Sequence, residues 1–421
     1  MIFYIEQIYI SDAMNIEDYG IRSPFDYTYI KIIRFALKLI NSWPSMETDE
    51  EKWNYLSIMW SSFLTIFTFI HFIGGTMYIT LHGKYLTFME IGYAYITMFM
   101  NVVIVSRLLT LTFSKKYQNV AKLFLTRIHL FYFKNYSKYA MKIHKRIHNT
   151  SHSYTILLTV QTLTGVIFFC VMPIFNCCSS GCYRNSVSKN LTFNISVYII
   201  YPFHTYSSTN EYVFISFFNC VFSTLAATWF CMFDLFLSVM VFHLNSFPRP
   251  TLQSYKGLNV HKKYSNIELQ VITDFLKDCV DYHKHIVCFT KEMSEAFGSM
   301  LFVYYTFHQV SGCLLLLECS QMTTEALVRY LPMTLILFQQ LMQLSIVFEL
   351  IGSTSEKLKH ALYNLPWESI DVKNRKMVFL LLMNLQKPIH VKALGIANVG
   401  VTTMAAILKT SLSYFTFLRS K

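Results

Sequence analysis

Long apolar stretches alternate with charged segments along this chain. Seven stretches, residues 54–79, 86–110, 153–175, 212–242, 296–320, 330–352 and 395–418, are each long enough to cross a membrane as a helix, because about 20 residues at 1.5 Å rise span a hydrocarbon core of about 30 Å. A barrel strand would alternate apolar and polar positions over about ten residues, and these stretches do not. The pattern predicts an all-α polytopic membrane protein with seven transmembrane helices, built as a single domain over residues 1–421.

The segments between the spans are predicted to carry helical extensions within 111–152, 243–295 and 353–394. Ser265 and Glu268 have capping-box spacing, and Ile272, Phe275, Cys279, Ile286, Met293 and Phe297 follow at near-helical spacing. They predict an amphipathic helix that runs straight into the fifth span, with a helix lying on the membrane surface as the alternative. Ser353 and Glu356 repeat the capping spacing and predict a short helix through Tyr363, ended by Pro366. Met377 to Leu385 is too short to span and predicts a buried helix before the seventh stretch.

Charge sets the orientation. Of the 60 charged residues, 36 basic and 24 acidic, only six lie within the spans. Lys and Arg concentrate in segments 1–53, 111–152, 243–295 and 353–394, which hold 28 of the 36. Basic loops stay in the cytoplasm, so the N-terminus is expected in the cytoplasm and the C-terminus outside. The net charge of +12 therefore records topology and implies no nucleic-acid partner. Two glycosylation sequons, at Asn190 and Asn194, fall in a loop expected outside, whereas that at Asn149 falls inside and should be unused. The first 52 residues mix apolar and charged positions without a cleavable signal, so the first span is expected to act as its own signal.

Signatures of catalysis are missing. The chain has no GxGxxG, P-loop, GxSxG or HExxH motif, and its 13 glycines leave little for phosphate-cradling loops. No enzyme activity, cofactor or metal is expected. His144 and His148 stand in a basic stretch and read as a solvated face. Cys177, Cys178 and Cys182, with Cys170, Cys313 and Cys319 near outer span ends, permit an outer disulfide of undetermined pairing.

Charges inside spans are functional candidates. Glu90, Arg107, Asp234, Glu318 and Glu349 lie mostly near span ends and read as interfacial, whereas Lys409 lies past the middle of the seventh stretch and demands a partner or a water-filled path. Gly400, Thr403, Ala406, Thr410, Ser413 and Phe417 step by three and four around it. Such a stripe signals either close helix packing or a polar pore wall closed by Phe417. The outer parts of spans two to six are rich in aromatic and methionine side chains: Tyr93, Tyr95 and Met98, then Phe169, then Phe214, Phe217 and Phe218, then Tyr305 and His308, then Met333. Walls of this kind suit a small, mostly apolar ligand, although any one of these residues can simply be packing or facing lipid.

The run Ala361 to Trp367, Arg375-Lys376, Gln386-Lys387-Pro388, Ala393 to Gly395, and Ile407-Leu408-Lys409-Thr410 through Leu418 together resemble the C-terminal signature of insect odorant receptors. The layout of short outer and large inner loops is similar to that family along the whole chain. The resemblance implies an odorant-gated, non-selective cation channel, tetrameric, with an odorant pocket in each subunit's outer half and a pore lined by the last helix. It places Ser413, Tyr414, Phe417 and Lys421 near the pore, with Thr410 on the same helix. It also implies a small volatile ligand, residence in the plasma membrane of the olfactory sensory neuron dendrite, and a co-receptor partner. The second inner loop, about 40 residues long, lacks the co-receptor's insertion. That makes this chain resemble a tuning subunit. A related gustatory receptor is the alternative, disfavoured by the ending Phe417-Leu-Arg-Ser-Lys421; a G-protein-coupled receptor would need the N-terminus outside.

Overall fold

A computed structural model describes residues 21–44, 55–86, 88–135, 138–179, 197, 199, 209–246, 266–320, 324–365 and 367–419. Among these, the chain forms eleven α-helices and one small hairpin: α1 Thr28–Leu39, α2 Tyr55–His82, α3 Phe88–Phe113, α4 Lys115–Leu123, α5 Lys138–Ser179, α6 Thr209–Ala227, α7 Phe233–Asn245, α8 Asn266–Cys319, α9 Thr324–Tyr363, α10 Val372–Asn384 and α11 Val401–Arg419, with β1 Lys392–Ala393 paired antiparallel to β2 Ala397–Asn398. The all-α expectation holds.

Six helical segments, in α2, α3, α5, α6 with α7, α8 and α9, are long and apolar enough to cross a membrane. The seventh stretch is helical from Val401, six residues later than expected, because the hairpin occupies its start. That helix carries Lys409 and six Ser and Thr side chains. This polytopic bundle is organised on α8, which packs against α3, α4, α9, α10 and α11.

The long inner extensions are continuous with their spans. α8 runs unbroken from Asn266, and Ile272, Phe275, Cys279, Ile286, Met293 and Phe297 are all buried along it, so the predicted amphipathic stripe is the packing face. Ser265 lies outside the described residues. Ser353 does not start a helix: its hydroxyl donates to the carbonyl of Leu350, 2.9 Å away, inside α9. The capping spacing there was outweighed by the helix already running through it, which ends at Tyr363 as expected. α10 is less buried than predicted, since Val372, Phe379, Leu380 and Met383 are exposed.

α1 lies along the bundle with Tyr29, Ile30, Ile33, Ala36 and Leu37 buried on one face. Its entrance is held by a cluster that overturns the solvated reading of His144. This ring is buried, and its Nε2 is 2.8 Å from the Tyr27 hydroxyl. The Tyr29 hydroxyl lies 2.7 Å from Nε2 of His129 and 3.2 Å from Nε2 of His243, and those two rings stack at 4.1 Å. Backbone N–H groups of Phe131 and Leu130 donate to Nδ1 of His129 and of His243 respectively. Each neutral ring therefore carries its proton on Nε2 and gives it to Tyr29.

Candidate functional site

The predicted ligand residues separate into two clusters. The first lies between α2 and α6. Phe218 lies tilted against Phe214 at 4.8 Å and meets Phe217 at 6.5 Å and Phe67 of α2 at 6.0 Å. One helical turn along α6, Phe222 lies flat on His71 at 3.8 Å. Phe214 and Phe217 point away from the bundle, half or more exposed, so in the single chain they line its surface. His71, which sequence reasoning passed over, is buried; its Nδ1 bonds the Phe67 carbonyl at 3.0 Å and its Nε2 has no hydrogen-bond partner among the described residues.

The second cluster centres on α8. Tyr305 and His308 are both buried, with Tyr305 held 3.1 Å from the Ser345 hydroxyl of α9. His308 packs on Tyr304 at 4.1 Å and against Phe307 and Phe230. Its Nδ1 bonds the Tyr304 carbonyl at 2.9 Å, while Nε2, the Tyr304 hydroxyl and the Trp229 indole N–H have no hydrogen-bond partner among the described residues. Tyr93 is buried, Tyr95 is exposed, and Met98, Phe169 and Met333 are partly covered.

Arg107 joins this second cluster, and here the interfacial reading of the charges fails. Its guanidinium is fully buried. Between α6 and α7 the helix widens to a π-turn over Thr228–Met232, a geometry that leaves carbonyl groups without their usual partners. Arg107 donates to the Trp229 carbonyl at 2.9 Å, to the Phe230 carbonyl, and to Asp234 Oδ1 at 2.9 Å. The Phe230 ring lies 4.5 Å from the guanidinium carbon and that of Tyr304 5.3 Å away. A charge that sequence position put near an end is thus neutralised by a residue 127 positions later. Glu349 is also engaged: it accepts the Val401 N–H at 2.9 Å, at the positive N-terminus of α11. Gly400 sits against that carboxylate, so a side chain there would displace it. Glu318 is buried beneath Gly92.

α11 turns one face to the bundle and one away. Ile407 and Ser411 are buried, and Gln309 of α8 donates to the Ser411 hydroxyl at 3.4 Å. Lys409, Thr410, Ser413, Tyr414 and Phe417 are exposed on the other face. Of the predicted stripe, Ala406, Thr410, Ser413 and Phe417 face outward while Gly400 is buried, so the stripe mixes packing and exposed positions. Lys421 and the sequons at Asn190 and Asn194 lie outside the described residues. Cys170, Cys313 and Cys319 form no disulfide among the described residues, and the side chains of Cys177, Cys178 and Cys182 lie outside the described set.

Comparison with known proteins places this arrangement. A family model described as 7tm Odorant receptor matches residues 94–412, more than half of the chain. Putative odorant receptor 85d of Drosophila melanogaster is 27% identical over 151 residues, covering 35% of this chain, and odorant receptor 13a of the same organism is 24% identical over 276 residues, covering 61%. The matches span 36% and 63% of the length of those two relatives. The olfactory receptor OR5 of Machilis hrabei has the same fold, with a TM-score of 0.70 at 14% identity over 93% of this chain and 97% of that one. Its structure in complex with eugenol matches with a TM-score of 0.67 at 15% identity, over 93% of this chain and 98% of that one. With the family match running from α3 into α11, the chain belongs to the odorant receptor family of insects.

Proposed function

We propose that this chain is a tuning subunit of an odorant-gated, non-selective cation channel, assembled with a co-receptor in the plasma membrane. The observation that carries the reading is the exposed face of α11: Lys409, Thr410, Ser413 and Tyr414 point away from the subunit's own core on a helix flanked by strongly apolar spans. A charged side chain turned from the core at membrane depth needs water or a partner subunit beside it. A central pore between subunits supplies both, with Phe417 as its apolar constriction.

The ligand proposed is small, volatile and mostly apolar, held in the outer half of the bundle among the covered candidates Tyr93, Met98, Phe169, Phe218, Tyr305, His308 and Met333, whereas Tyr95, Phe214 and Phe217 lie at the surface of the chain. A structural relative that binds eugenol supports a small aromatic or apolar molecule. His71 and His308 add chemistry to such a site. In each, Nδ1 faces a carbonyl and so carries the proton, which leaves Nε2 as a bare acceptor. A ligand with a hydroxyl donor is suited to them.

The test is co-expression with a family co-receptor in a cell that has no odorant response, recording current while an odorant panel is applied. Inward cation current without nucleotide or G-protein supply is expected. A response abolished by blocking G-protein signalling would reject the channel mechanism in favour of a G-protein-coupled one. Phe417→Ala is expected to change basal current or ion selectivity, and no change in either would remove it from the gate.

A further inference from the structure

The start of α11 is held by side chains from two other helices. The first amides of a helix have no partner within it. Here the first of them, Val401 N–H, donates to Oε2 of Glu349 on α9 at 2.9 Å, a charge-assisted bond at the positive end of the helix. Ser345 stands one turn from Glu349 on the same face of α9. Its hydroxyl lies 3.1 Å from that of Tyr305 on α8. The Glu349 carboxylate and the Gly400 backbone are further neighbours of the same tyrosine hydroxyl.

Tyr305 thereby touches two regions at once. Its ring meets that of Tyr304 edge-on at 5.9 Å, and Tyr304 packs on His308 in the second aromatic cluster. Its hydroxyl ends beside the first residues of α11. Farther along, Gln309 and Cys313, one and two turns beyond Tyr305 on the same face of α8, both donate to the Ser411 hydroxyl, at 3.4 and 3.7 Å. Those bonds are long and uncharged, so the firm hold on α11 is at Val401. Coupling between sites runs through contiguous bonded and packed groups with more than one arrangement. Tyr305, Ser345 and Glu349 form such a series.

We propose that Glu349 is a positioning residue of the gate, and that Tyr305 and Ser345 link it to the second aromatic cluster. A ligand seated on Tyr304 and His308 displaces the Tyr305 ring, the hydroxyl draws Ser345 and Glu349 with it, and α11 follows through Val401. The inference rests on the reading of α11 as the pore helix.

The experiment uses the full-length receptor co-expressed with a co-receptor, with odorant-evoked current normalised to surface protein. Tyr305→Phe keeps the ring and removes the hydroxyl. It and Glu349→Leu should each raise the half-maximal odorant concentration roughly five- to tenfold, the loss of one hydrogen bond. The double variant should stay within about twofold of the larger single effect, whereas independent roles would multiply. Glu349→Gln keeps an acceptor for Val401 and should fall between the parent and Glu349→Leu. Ser345→Ala with Tyr305→Phe gives the same cycle if Glu349→Leu does not reach the surface. In the purified complex, the Val401 amide should lose about tenfold in hydrogen-exchange protection in Glu349→Leu. A parent that passes no odorant-evoked current rejects the channel reading and the linkage with it. A responding parent whose variant effects multiply, or a Val401 amide equally protected in Glu349→Leu, overturns the linkage alone.

Discussion

At the scale of single residues, partners distant in sequence decide what each charge and ring does. Arg107 satisfies two π-turn carbonyls and one carboxylate, so losing either half of the pair leaves an uncompensated buried charge. Arg107→Met is expected to cost about 3–5 kcal/mol. Thermal unfolding of the detergent-solubilised protein would show it as a lowered midpoint. Combining it with Asp234→Leu should recover part of the loss, and a single variant as stable as the parent would contradict the pairing. His129 makes a second case. Burial first, then His243, His144 and His148, hold its pKa well below the ordinary 6.5. Its Nδ1 faces a backbone N–H and has no use for a second proton. A histidine with a depressed folded pKa takes up its proton on unfolding, so the stability it lends is present above about 6.5 and is lost as pH falls below that. The hydrogen-exchange protection factors across residues 28–39, taken relative to the base-catalysed intrinsic rate at each pH, should therefore fall between pH 7.5 and 5.5. Protection factors independent of pH would separate α1 from this cluster. Neither cluster was legible beforehand, because His144 meets Tyr27 across 117 positions and no periodicity reports a pairing of that kind.

Elements were far more legible than partners, and the reason is physical. A membrane span is a one-dimensional signal, apolar length, and so α2, α3, α5, α8 and α9 fall where the apolar stretches lie. The misreadings arose where a local rule competed with a running helix or with backbone pairing. Ser353 has the residue type of a helix cap and sits inside α9; the start of the seventh stretch is the β1–β2 hairpin. That hairpin depends on a close approach to α8. Leu394 N–H donates to the Gly298 carbonyl at 3.1 Å, and a Cβ at Gly298 would stand 2.9 Å from the Lys392 carbonyl oxygen, a backbone atom with little freedom to move. Gly298→Ala should thus push the hairpin off α8 and displace the start of α11. The expected readout is a lower melting temperature together with a reduced odorant-evoked current. An unchanged protein would mean that the hairpin yields freely.

At the scale of the whole molecule, the bundle has more polar surface at membrane depth than a lone subunit can use. The outward face of α11 is its main example, and the proposal that this face lines a pore also accounts for the late, polar character of the last helix. The candidate ligand residues were only partly legible as a site. Their aromatic content was evident, but which rings converge, as Phe218 does on Phe67 while Phe214 and Phe217 stay at the surface, is set by how α2 approaches α6. The most direct measurement is cysteine accessibility along α11 in the receptor co-expressed with a co-receptor. Cysteines placed singly at Lys409, Ser413 and Phe417 are treated with a charged, water-soluble thiol reagent, with and without odorant, while current is recorded. Modification of Lys409→Cys and Ser413→Cys that blocks the current and quickens with odorant is the expected result. Cysteines at these positions that stay unmodified in the presence of odorant while current flows would place α11 away from the ion path.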